Sequence, residues 1–170
     1  MVLLSACTGH GRNKNVSNNS DEMIKDTLKQ YGYNRDFLEK HVKVIELKKD
    51  RSAIVLIPGW QGRVMTSSAE GDKGFSFGWI NRDLIESGEL QPHINAFGGE
   101  ERLWLGPEGG QFSIYFKKGD PFVFEHWQTP DYLDTKAFSI LNQTDSSALF
   151  GYDVETDNYS GTHFSFRLER

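Results

Sequence analysis

Five consecutive apolar residues, Ala53, Ile54, Val55, Leu56 and Ile57, follow Ser52 and stop at Pro58-Gly59. A short apolar run closed by a turn pair reads as a strand buried on both faces. The chain around it must therefore supply apolar cover on two sides. Most of the remaining pattern is also strand-like. Residues 42–45 open one strand, residues 61–67 continue after the Pro58-Gly59 turn, and residues 75–80 are rich in aromatics. Residues 111–116 alternate, then Lys118-Gly119-Asp120-Pro121 turns the chain into Phe122, Val123 and Phe124. Residues 136–141 and 147–155 follow as strands. Thr162, Phe164, Phe166 and Leu168 alternate with His163, Ser165, Arg167 and Glu169, as in a half-buried strand.

Helical signals precede the strands. Ser20 is a good N-cap, and Asp21 and Glu22 suit the positive end of a helix. Met23, Leu28 and Tyr31 fall on one face, and Gly32 is expected to end that helix. Asn34 is expected to cap a second short helix through His41, burying Phe37 and Leu38. Residues 81–87 suit a single helical turn. No fixed-period repeat is visible, which argues against a solenoid or propeller.

Length and charge narrow the function. A chain of 170 residues is enough for one ordinary domain with a real core. Its formal charge of −5 argues against a nucleic-acid partner, which calls for a basic face. No stretch approaches the ~18 apolar residues of a spanning helix. The single cysteine, Cys7, excludes an internal disulfide. It sits in Leu4-Ser5-Ala6-Cys7, which is similar to a bacterial lipobox, where the thiol takes the lipid. Residues 1–7 then read as the remnant of a lipoprotein signal, since a full signal needs an apolar run of about 7–15 residues. Residues 8–19 are polar and aperiodic, as in a flexible linker.

Chemistry-bearing residues concentrate in residues 95–110, Asn-Ala-Phe-Gly-Gly-Glu-Glu-Arg-Leu-Trp-Leu-Gly-Pro-Glu-Gly-Gly. Glycines let backbone approach a ligand, carboxylates and Arg bond sugar hydroxyls, and an indole faces the C–H side of a pyranose. Glu100, Arg102, Trp104 and Glu108 are the candidate sugar contacts, and Arg63 and Arg82 are secondary candidates. Arg102 is expected to pair with Glu100, Glu101 or Glu108. The same residues also suit a solvated loop with an Arg–Glu pair and a buried Trp104. Glu125-His126-Trp127 is a further polar group near a strand edge. The five histidines show no metal-ligand spacing. No phosphate, dinucleotide or serine-hydrolase motif occurs, so neither a metal nor a cofactor is expected. Carboxylate pairs suit glycoside hydrolysis, but the sequence does not give their separation.

Five segments together resemble one family: residues 61–68, residues 78–82, residues 98–110, Trp127-Gln128-Thr129-Pro130 and Asn158-Tyr159-Ser160-Gly161-Thr162. The family is a group of uncharacterised bacterial secreted or lipoprotein-type proteins with a galactose-mutarotase-like fold. The resemblance runs in order from Val42 to Arg170. It implies a mainly β chain, a partial antiparallel β-supersandwich preceded by one or two short helices. Residues 20–170 would be the N-terminal part of that domain, cut before its end. It also implies an exported, lipid-anchored protein of the periplasm or outer membrane with a carbohydrate ligand. The aldose epimerases of this fold use a histidine acid and a glutamate base from later in the chain. Their sugar-binding histidine precedes a Gly-Gly pair, where this sequence has Phe97. The implied function is carbohydrate binding or processing without the catalytic half. An aldose 1-epimerase at full length and a structural lipoprotein without a sugar ligand are the alternatives.

Overall fold

The computed structural model describes residues 26–170. The expected lipid-bearing Cys7, the linker at residues 8–19 and the Ser20 cap lie outside them. The described chain is mainly β. A helix α1 (Tyr31–His41) leads into strands β1 (Ile45–Lys49), β2 (Ser52–Ile57) and β3 (Arg63–Ser68). A short strand β4 (Trp79–Ile80), a helix α2 (Arg82–Ser87) and a second short strand β5 (Gly98–Gly99) come next. Strands β6 (Ser139–Gln143), β7 (Ala148–Asp157) and β8 (His163–Glu169) complete the order. They form three antiparallel sheets: β1-β2-β3, β4-β5 and β6-β7-β8.

β2 is the central strand of its sheet, and its two faces enter two different cores. Ala53, Val55 and Ile57 pack with Met65, Leu38, Phe37, Leu84 and Phe97 beneath the two helices. Ile54 and Leu56 face the other way, with Ile45, Leu47 and Val64, against Phe150 and Tyr152 of the second large sheet and Phe138 just before it. The registers Ile45↔Leu56 and Leu47↔Ile54 place β1 on that same face. Fully burying one such aliphatic side chain contributes about 1.5–3 kcal/mol. β3 slips by one residue where Val55 pairs Thr66 and Leu56 pairs Val64. The extra residue, Met65, turns into the helix-side core, where it is completely buried.

The second large sheet is longer than the first. Beyond Phe150, its inner face carries Tyr152, Val154, Phe166 and Leu168. That extension is covered not by strands but by the irregular chain around Trp104, Tyr115, Trp127 and Leu133. The candidate site is built on this cover.

Several expected elements differ from the structure. Gly32 does not end a helix. It lies in the first turn of α1, where a Cβ would collide with the Cβ of Asp72, and its N–H donates to Asp72 O at 2.8 Å. Asn34 lies inside the same helix and caps nothing. Its Nδ2 donates to Ser76 Oγ at 2.7 Å. Of the helix expected before Gly32, only Asp26 and Thr27 are described as helical. Within residues 75–80 only Trp79 and Ile80 form a strand, and Phe75 makes an isolated bridge to Gln30. Residues 111–116 form no ladder. Burial does alternate there, but on the opposite residues from the apolar ones: Ser113 and Tyr115 are buried and Phe112 is exposed, because the carbonyls of the buried pair serve separate segments, Ser113 O accepting from Tyr159 N and Tyr115 O from Gln128 N. Phe124 begins a 3-10 turn rather than a strand. The expected helical turn after Ile80 does form. Asn81 Oδ1 accepts from Leu84 N at 3.3 Å, and Gly88 closes α2 in the left-handed region at φ 64°.

Candidate functional site

The glycine pair of residues 98–110 has a structural cause. Gly98 and Gly99 have φ of 102° and 116°, and a Cβ on Gly98 would run into the Trp79 carbonyl across the β4-β5 pair. The bare backbone is needed for strand contact. Gly98 O accepts a hydrogen bond from Arg63 Nη1 at 2.8 Å. Arg63 is 1 % exposed and is thus a core cation. Burial, and after it the charge of Arg102, lower its guanidinium to about 10. Arg82 is engaged elsewhere, between the two helices. Its guanidinium lies 4.1 Å over the Phe37 ring and bonds Asn34 Oδ1, pinning α2 to α1. Glu100 is exposed beside Gly78, and its N–H donates to Val64 O at 2.9 Å. Glu101 accepts from Val64 N and pairs with Arg170.

Arg102, Trp104 and Glu108 do come together. The Arg102 guanidinium lies 4.6 Å over the Trp104 ring, and Trp104 Nε1 donates to Glu108 Oε1 at 2.7 Å. The expected ion pair of Arg102 with Glu100, Glu101 or Glu108 is not formed. Arg102 Nη2 instead donates to Asp134 Oδ1 at 2.9 Å and to Leu133 O at 2.7 Å. Asp134 is buried and also accepts from Asn95 N and from Asn95 Nδ2. A carboxylate taken out of water needs several partners, and the side chains of Arg102 and Asn95 supply them. Burial holds the Arg102 guanidinium below its usual value against the opposing pull of Asp134.

From this anchor an aromatic row runs outward. Trp104 stacks on Tyr115 at 5.2 Å, Tyr115 on Trp127 at 5.5 Å with nearly parallel planes, and Trp127 on Phe124 at 6.0 Å. Tyr115 OH donates to Leu105 O at 2.6 Å, and burial, helped by Glu108, raises its pKa. The row passes from buried to open: Tyr115 is 1 % exposed and Phe124 63 %. Phe122 and Val123 are also exposed beside it. Trp127, Phe124, Phe122, Phe116 and Glu108 line a cavity of about 330 Å³. A second cavity of about 580 Å³ shares Phe116 and opens toward the end of β7.

The row members Tyr115 and Phe124, and the buried anchor Asp134, were not among the residues singled out for contact. Trp127 stands out in sequence only within Glu125-His126-Trp127 and Trp127-Gln128-Thr129-Pro130. The phenylalanines looked like strand residues, and nothing local marks Asp134, whose partner Arg102 is 32 residues away. Among the described residues no group of His, Cys, Asp and Glu can hold a metal ion. No described helix is long and apolar enough to cross a membrane. Compared with known proteins, residues 29–170 match the profile of a family of unknown function (DUF6786). No curated protein and no solved structure matches the chain.

Proposed function

The chain belongs to that family, and we propose that it is an exported carbohydrate-binding protein whose ligand sits on the aromatic row. The observation that carries this reading is the open end of the row. Trp127, Phe124 and Phe122 line a cavity of about 330 Å³ together with one acidic residue, Glu108. Rings suit the apolar face of a sugar, and a carboxylate accepts from its hydroxyls. Arg102 and Trp104 stand behind this surface and hold it, through Asp134 on one side and Glu108 on the other. A galactose-mutarotase-like framework accords with two three-stranded antiparallel sheets that share a core. Export as a lipoprotein, with a lipid on Cys7, is supported by Leu4-Ser5-Ala6-Cys7 and the polar residues after it.

A glycan array followed by calorimetry tests the binding reading. The expected result is binding of at least one glycan, weakened about tenfold or more by Trp127→Ala and by Phe124→Ala. Binding of no glycan, or unchanged binding by both variants, overturns it. Lipidation is tested by expressing the chain behind a complete bacterial signal and feeding a fatty-acid analogue. Label that is lost in Cys7→Ser supports the anchor, and equal label in both rules it out.

A further inference from the structure

The larger cavity next to the aromatic row, about 580 Å³, is lined by three carboxylates and two lysines that differ in how far protein groups already engage them. Three carboxylates line it, and each is already engaged. Asp131 pairs with Lys136 at 3.5 Å. Glu155 accepts from Ser165 Oγ at 2.6 Å and meets His163 Nε2 at 2.7 Å. Asp157 meets His163 Nδ1 at 2.8 Å. His126, also on the wall, pairs with Asp120 at 3.4 Å. Lys117 and Lys118 line the same cavity and, among the described residues, have no ion pair or side-chain hydrogen bond.

The two amides of the lining differ: Gln128 spends its NH₂ on His93 O and Thr129 O, whereas Asn158 spends its oxygen. Asn158 Oδ1 is used by Ser160 Oγ and Thr162 N, both at 2.9 Å, so the free end of its amide is the NH₂ donor. Lys118 is placed rather than merely nearby. Gly161, with φ 85°, has no side chain there, and the Lys118 ammonium lies over its backbone. The cations of the lining without a protein partner are thus Lys117 and Lys118, and the Asn158 NH₂ is a neutral donor in the same lining. An ammonium without a protein partner gains a charge-assisted hydrogen bond from an anion brought within its reach.

The geometry points to this cavity as the subsite for an acidic sugar ring, a uronate, adjoining a ring stacked on the aromatic row. Phe116, common to both cavities, is the divider between the two rings. This rests on the carbohydrate reading and narrows its ligand to an oligosaccharide carrying a carboxylate. Sulfate esters share the anionic chemistry, and the test separates them.

The experiment is calorimetry on the whole chain with three panels of trisaccharides: uronates of several stereochemistries, their neutral counterparts, and sulfated neutral sugars. The expected result is that one uronate binds about tenfold or more tighter than its neutral counterpart. Raising the salt should shrink that preference. The double variant Lys117→Gln, Lys118→Gln should bind both members of that pair at the neutral sugar's level. Both lysines are exposed, and circular dichroism verifies that the variant keeps its fold. Equal binding of uronate and neutral sugar overturns the subsite and leaves the aromatic site standing, as does a preference that survives in the double variant. Tighter binding of the sulfated panel overturns the carboxylate assignment. Binding by none of the three panels removes the carbohydrate reading and this subsite together.

Discussion

Arg102 and Asp134 form an ion pair at 2.9 Å in which the aspartate side chain is 3 % exposed and the arginine 20 %. The pair ties residue 102, at the start of the aromatic row, to the turn at Asp131–Leu133 that covers the second sheet. Removing one partner strands the other charge away from water. Asp134→Ala is therefore expected to cost about 3–5 kcal/mol in urea unfolding, and Asp134→Asn less, since the amide oxygen still accepts. Near-ultraviolet circular dichroism should change with it, because Trp104 loses the fixed guanidinium above its ring. A loss below about 1 kcal/mol would mean that the row stands without its anchor.

Arg63 is a core residue by the same accounting. Its guanidinium reaches Gly98 O and, at 3.4 Å, Gln61 Oε1, and its Nε has no hydrogen-bond partner. Arg63→Ala opens a cavity and is expected to lose about 3 kcal/mol or more. Arg63→Met fills most of the volume without a buried charge and should lie within about 1 kcal/mol of the wild type. Neither change should alter sugar affinity once stability is matched. A specific loss of affinity in Arg63→Met would return Arg63 to the ligand contacts.

Two glycines of the same loop should behave oppositely. At Gly98 both the φ of 102° and the Trp79 carbonyl forbid a side chain. Gly98→Ala is expected to destabilise by about 2 kcal/mol or more. Gly109 has no atom near its would-be Cβ and no positive φ. Gly109→Ala should stay within about 1 kcal/mol of the wild type. Thermal unfolding of the two variants decides between a glycine required by strand contact and one retained for another reason.

These residues also show how far the sequence could be read. The apolar run of β2 announced burial on two faces, and two separate cores meet there. β7 and β8 were legible because period-two alternation is a local property, and one of their faces is solvated. Residues 111–116 alternate as well, yet they bond outward to two different segments and bury Ser113 and Tyr115 while Phe112 stays exposed, so alternation outside a ladder does not say which face is buried. Residues 98–110 drew attention for charge and glycine. Their composition mixed two causes, the close β4-β5 contact and the start of the aromatic row. Tertiary pairing separates them, and a partner such as Asp134, distant in sequence, has no local signature.

The exposed end of the β7-β8 hairpin carries a pH response whose sign follows from its bonds. His163 stands between two carboxylates, Nδ1 at 2.8 Å from Asp157 and Nε2 at 2.7 Å from Glu155. Those hydrogen bonds, Asp157 first and Glu155 second, raise the histidine above its ordinary 6.5. Ser165 first and His163 second hold Glu155 below its ordinary 4.5. The histidine's contribution to stability is complete below 6.5 and is lost as pH rises through its raised folded-state value. The glutamate's is present above 4.5 and is lost as pH falls through its depressed value. The hairpin end is thus most stable between those two ordinary values, and salt weakens the effect because every group is exposed. An NMR titration of the His163 ring should give a midpoint above 6.5 at low salt. It should move toward that ordinary value in Glu155→Gln and again at high salt. Amide exchange at the paired ends Asp157 and His163 should quicken as the proton leaves. A midpoint at or below the ordinary value in the wild type would show that the two carboxylates do not hold the ring in solution.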